Sequence, residues 1–262
     1  NAAIEVDGAA YWLSDNGFFR YSGNLETMTC LVEDYVYDDI NTTASQLINV
    51  GLNNLFGEIT WFYPTQSSEI VNRSVTYNYA ESVPERPIWT TGSLARTTWV
   101  DSAVFGLPHG TDYNASGTSY DVVGNTEGAT TYYQHETGTD QVKSSATTTV
   151  AANIESGDFD ITRGQGGADL RGDGEFLMKI RRFIPDFLSQ TGNTQVTLQL
   201  RDYSNSSQAS SPLGPFTITS ATTKVDTRAR GRSVALKIAN TGASQDWKLG
   251  SFRLDIQADG RR

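Results

Sequence analysis

The stretch Ile4-Glu-Val-Asp-Gly-Ala-Ala-Tyr-Trp-Leu-Ser-Asp-Asn-Gly-Phe-Phe-Arg-Tyr21 decides the fold class. Glu5-Val6 and Ala9–Leu13 are short runs separated only by Asp7-Gly8. A two-residue hairpin turn needs positive φ, which Asp-Gly tolerates, so the pattern reads as strand, tight turn, strand. Asp15-Asn16-Gly17 turns the chain again before Phe18–Tyr21, and Ser22-Gly23-Asn24 ends that run. The result is a meander of three short antiparallel strands.

Moving outward, the same pattern returns. Glu58-Ile-Thr-Trp-Phe-Tyr63 reads as a strand stopped by Pro64, which has no N–H to give to a ladder. Further strands are expected at Ser74–Tyr79, Ile88–Thr90, Arg96–Asp101, Val122-Val123 and Thr130–His135. Beyond residue 174 they are expected at Glu175–Ile180, Gln195–Arg201, Phe216–Ile218, Ser233–Ile238 and Gly250–Ile256, with a break at Phe183–Phe187. Twenty-four Gly and 11% aromatic residues suit many short strands joined by turns. One segment reads as helix: in 34–54, Ala44, Leu47, Ile48 and Leu52 fall near helical spacing, Asp38-Asp39 could cap, and Gly51 could end it. The expected fold is all-β, with propeller-like antiparallel meanders and a C-terminal β-sandwich or barrel-like region.

The boundary between the two is expected at residues 162–174, which hold five glycines in thirteen residues. Charge changes there too. Residues 1–162 carry 5 Lys and Arg against 21 Asp and Glu, a balance of −16. Residues 163–262 carry 15 against 9, a balance of +6. Such asymmetry is a statement about partners rather than fold. No stretch approaches 18 apolar residues, so no membrane-spanning helix is expected. The start lacks the layout of a secretory signal, and without an initial Met the chain is expected to be processed or to begin partway through a longer protein. The single cysteine, Cys30, reads as a small buried apolar residue.

Sites for chemistry are sparse. His109 and His135 lie in no recognisable ligand spacing, and neither a Gly-x-Ser-x-Gly elbow nor a phosphate loop is present. Gly164–Asp169 has the outline of a single calcium repeat, too little for sites built by stacking several. Asp38-Asp39, Asp158 with Asp160 and Asp169 with Asp173 are pairs that a glycosidase could use, but thirty acidic residues generate such pairs by chance. The chain is therefore expected to be no enzyme and to need no cofactor or metal.

Five segments, in order along the chain, resemble a known family: Ala10–Gly23, Glu58–Pro64, Tyr77–Tyr79, Tyr133–Gly138, and a C-terminal set of Asp226-Thr-Arg-Ala-Arg-Gly-Arg232, Val234–Ile238, Trp247–Gly250 and Arg253–Arg262. They look like the tail nozzle proteins of short-tailed bacteriophages, also called packaged-DNA stabilisation protein or tail tubular protein B. The resemblance implies a β-propeller-like fold and a structural role in the virion. It implies a hexameric ring below the tail adaptor, near fibre or spike proteins, through which genomic DNA passes during ejection. It also implies an upstream portion before Asn1, and loop 162–174 is longer than the family's pattern. No catalytic residues carry over.

Arg228, Arg230 and Arg232 alternate, so on a strand they would share one face. With Arg253, Arg261 and Arg262 they are the candidate contacts to a neighbouring subunit or tail protein. DNA phosphate binding and a charge-guarded sheet edge are the alternatives for that row. Two rival functions stand beside the tail reading. One is a carbohydrate-binding or glycan-cleaving propeller, with Trp12, Trp61, Trp89 and Trp99 partly exposed in one groove. The other is a nucleic-acid-binding module in residues 163–262.

Overall fold

The structure is a computed structural model that describes residues 2–120, 126–143, 146–161, 176–203 and 211–260. It is all-β and divides into two compact units, residues 1–137 and 138–262. This boundary lies upstream of the glycine-rich segment, which itself falls outside the described residues, as does Val122-Val123. The reason is pairing: Asn153–Glu155 and Phe159 bond to the C-terminal unit, to Lys237–Ala239 and Val234, so they belong with it.

The first unit begins with a four-stranded meander, β1 (Ala3–Val6), β2 (Ala9–Ser14), β3 (Gly17–Tyr21) and β4 (Leu25–Thr27). Asp7 and Gly8 take φ of 52° and 78°, the two positive values that a type I′ turn requires. A short helix α1 (Glu33–Asp39) and a 3-10 turn (Thr42–Leu47) lead to a second meander. Its strands are β5 (Asn49–Asn53), β6 (Glu58–Tyr63), β7 (Arg73–Asn78) and β8 (Trp89–Gly92). The expected helix over 34–54 is therefore corrected. Helix forms only to Asp39, Asn41 caps the 3-10 turn through its side-chain oxygen, and the next residues are strand. Gly51 ends nothing. It lies inside β5, and glycine is needed there because a Cβ would run into the Trp99 ring.

The two meanders face each other over an aromatic core of Tyr11, Phe18, Trp61, Tyr63 and Trp89, with Val36 of α1 buried against it. Strand β6 is buried on both faces, since Trp61 points into this core while Phe62 meets Trp99. Trp99 comes from a three-stranded sheet of β9 (Thr98–Val100), β10 (His109–Tyr120) and β11 (Thr126–Gln134).

In the second unit, β12 (Asp140–Lys143) pairs with β13 (Ala146–Thr149) as a hairpin, and β14 (Asn153–Glu155) follows. Then come β15 (Met178–Ile184), β16 (Phe187–Thr191), β17 (Thr194–Arg201) and β18 (Ser211–Ile218). The chain ends with β19 (Val225–Gly231), β20 (Ser233–Asn240), β21 (Asp246–Leu249) and β22 (Arg253–Ala258). A sheet ordered β14-β20-β17-β18 and one ordered β19-β15-β22 share a largely aliphatic core. Strand β17 shows how the sequence dictates this: Thr194, Val196, Leu198 and Leu200 are buried and the residues between them are half-exposed, the period-two pattern of a strand with one wet face. Among the described residues no helix is long and apolar enough to cross a membrane.

Candidate functional site

The outer face of the β19-β15-β22 sheet collects cations. Met178, Ile180 and Phe183 of β15 and Thr227 and Ala229 of β19 are buried beneath it. Alternation then sends Lys179 and Arg181, and Arg228 and Arg230, outward. Lys179 lies directly opposite Arg230 in the ladder. These four residues, with Thr227 and Asp259, line an open cleft of about 430 Å³. Arg230 is tied to Asp259 at 2.6 Å. Among the described residues, Lys179, Arg181 and Arg228 have no ion pair. Toward the other end of the sheet charge is balanced instead: Arg182, displaced by a bulge, lies 3.8 Å from Asp226 and 3.4 Å from Asp255, and Lys224 lies 3.2 Å from Asp226.

The sequence-derived candidates are distributed over this unit unevenly. Arg228 and Arg230 share the outer face, as alternation requires. Arg232 lies past the end of β19, half-buried, with its amide donating to the Arg201 carbonyl at 2.8 Å, so the row is two arginines long rather than three. Arg253 opens β22 and faces Asp186 at 3.7 Å. Arg261 and Arg262 lie outside the described residues. Sequence reasoning missed Lys179 and Arg181. Their signal was the alternation in Met178-Lys-Ile-Arg181, but only the pairing of β15 with β19 places them beside arginines almost fifty residues away.

The first unit holds its charges differently. Arg96, only 8% exposed, donates from Nε to His135 Nε2 at 2.9 Å. Its guanidinium lies 4.0 Å from the centre of the Tyr133 ring, and the Tyr133 hydroxyl donates to Asp112 at 2.9 Å. Burial, reinforced by Arg96, lowers the His135 pKa to about 4. Neutral His135 therefore carries its proton on Nδ1, and its Nε2 lone pair is occupied by Arg96. That geometry holds the imidazole as a fastener rather than leaving a base free to take a proton. Trp99 packs tilted against His135 and donates from its indole to the Leu52 carbonyl at 2.7 Å. Asn49 donates to the Arg96 carbonyl at 2.8 Å, and Asn53 to Glu136 at 2.9 Å. The network clamps the three-stranded sheet onto the β5–β6 edge.

Neither carboxylate pair in described positions is a free couple. Asp158 binds Arg201 at 2.7 Å, and Asp39 lies 4.0 Å from Arg73. Asp169 and Asp173 lie outside the described residues, as does Gly164–Asp169. Among the described residues no group of three or more His, Cys, Asp or Glu is placed to hold a metal. Cys30 is half-buried, and burial raises its thiol to about 11, which keeps it protonated and inert. The groove of four tryptophans that a carbohydrate-binding surface would need is not formed. Trp61 and Trp89 are buried and packed together in the core, and Trp12 stacks on Phe19.

Charge divides between the units as sharply as structure does. Residues 1–137 carry 4 Lys and Arg against 17 Asp and Glu, a balance of −13; residues 138–262 carry 16 against 13, a balance of +3. No known protein family matches the chain, and no curated protein is similar to it in sequence.

Proposed function

We propose that the chain is a structural, non-catalytic subunit of the tail tube of a short-tailed phage. It builds a homo-oligomeric ring, six-fold by the family resemblance, that retains packaged DNA and conducts it during ejection. The observation that carries the reading is the cationic outer face on one unit of a chain whose other unit is strongly acidic. A closed ring requires a heterologous contact, in which one patch of a subunit meets a different patch of the next. Opposite charge on two separate units favours that contact and disfavours like-to-like pairing.

Two further features support it. The ordered resemblance runs from Ala10 to Arg262. The meanders β1–β4 and β5–β8 each have the four antiparallel strands of a propeller blade. The acidic unit has a mechanical use in such a tube, because a surface of carboxylates repels phosphate and lets DNA slide. The cationic face anchors the subunit to its neighbour, with adaptor and fibre or spike proteins above and below. Electron microscopy of the assembled particle tests this directly. The expected result is density for both β units repeated about the tail axis. Density away from that axis, or a lumen lined by Lys179, Arg181 and Arg228, would overturn it.

A further inference from the structure

We infer that the cationic cleft on β15 and β19 of one subunit receives the outer stripe of helix α1 from a second copy of the chain. This pairing rests on the ring reading above and gives it a specific contact.

Both surfaces carry charge that their own fold leaves uncompensated. On the cleft side, Lys179 and Arg230 face each other across the ladder, and like charges directly opposite are destabilising. Asp259 answers one of the four cations, leaving Lys179, Arg181 and Arg228 without an ion pair among the described residues. On the helix side, Asp34, Tyr35 and Asp38 lie three and four residues apart within α1, so they form one stripe. Asp34, Tyr35 and Asp38 are exposed, as is Leu31, while Val36 behind them is fully buried. Asp34 and Asp38 are a like-charged i, i+4 pair, and neither has an ion pair among the described residues. Asp38 also sits in the last turn, where the helix dipole disfavours negative charge and the helix has no basic residue of its own; Arg73 faces its neighbour Asp39 instead, at 4.0 Å.

The shapes correspond as well. The cleft is open, and the helix stripe is convex, with Tyr35 52% exposed at its centre and Leu31 70% exposed in the turn that precedes it. Seating the stripe gives Asp34 and Asp38 to the unpaired cations and lays the Tyr35 ring against a guanidinium, a contact that arginine makes well with aromatic faces. The two patches lie on different units of the chain and are different surfaces, so the contact is heterologous and propagates from copy to copy.

Charge reversal in trans separates this contact from its rivals. The chain R181E/R228E has two acidic patches, and the chain D34K/D38K has two basic ones. Each alone should lose assembly in native mass spectrometry, with association weakened ten-fold or more. An equal mixture should assemble, alternating the two variants. If the wild-type chain assembles but the mixture does not, the pairing is wrong while the ring stands. If the wild-type chain stays monomeric, the ring reading itself fails. If R181E/R228E alone still assembles but loses retention of duplex DNA, the cleft belongs to phosphate and the pairing is overturned.

Discussion

The two units solve the same problem with opposite placements of charge. The first builds its core from tryptophan, tyrosine and phenylalanine and lets titratable groups into the interior, where Arg96, His135 and Glu58 are half-buried or deeper. The second builds from Met178, Ile180, Val196, Leu198 and Ile238 and sends its ionic groups to the outer sheet faces. Buried charges respond to protons, because burial shifts their pKa; surface charges respond to salt, because ions screen them. The first unit should therefore be the pH-sensitive one and the second the salt-sensitive one.

The comparison can be broken most forcefully in the cores. Trp61→Ala removes a fully buried ring that also donates to the Ala2 carbonyl at 2.8 Å, and should cost about 3–5 kcal/mol. Phe183→Ala should cost a similar amount in the second unit. Hydrogen exchange read along the chain should show each loss confined to its own unit; protection lost equally in both would mean that they are one cooperative body. A smaller effect comes from adding atoms. Gly51→Ala places a methyl group against the Trp99 ring and should cost about 1–3 kcal/mol, seen as faster exchange across β5 and β9.

Acid sharpens the contrast. The folded pKa of His135 lies near 4, below its unfolded value of 6.5, so the unfolded state binds the extra proton first. The contribution is fully present above pH 6.5 and is lost as pH falls toward 4, by about 2 kcal/mol after allowing for partial exposure. Glu58 and Glu136 work in the other direction: burial raises both, Glu58 further through Glu136, so the native state takes up their protons more readily as pH falls. His135→Gln should flatten the acid loss in the first unit, and Glu58→Gln with Glu136→Gln should deepen it. Denaturation midpoints between pH 7 and 4 check both signs. The smallest effect belongs to the surface of the second unit. Asp259→Asn breaks an exposed pair with Arg230 and should change stability by less than about 1 kcal/mol.

Much of the fold was legible in local chemistry. Asp7-Gly8 specified its turn, and the alternation of Gln195–Arg201 specified a one-sided strand. Residues 34–54 read as helix because Ala44, Leu47, Ile48 and Leu52 satisfy a helical period, while strand over Asn49–Asn53 comes from pairing with β6, and the glycine at 51 answers to Trp99, almost fifty residues away. Half of the cationic site was legible for a similar reason. The arginines of β19 announce themselves by alternation, but Lys179 and Arg181 join them only through a ladder that a single strand does not reveal. Arg232 looked like a third member until the turn after Gly231 took it out of the row.

The measurement that bears most directly on the subunit's role is sedimentation of the intact wild-type chain at about 0.05 M and about 0.5 M salt, bracketing the range over which surface charges become screened. A closed oligomer at low salt that falls apart toward monomer at high salt is the predicted result. A monomer at both, or an assembly indifferent to salt, would contradict a ring held by the acidic and cationic faces of one chain.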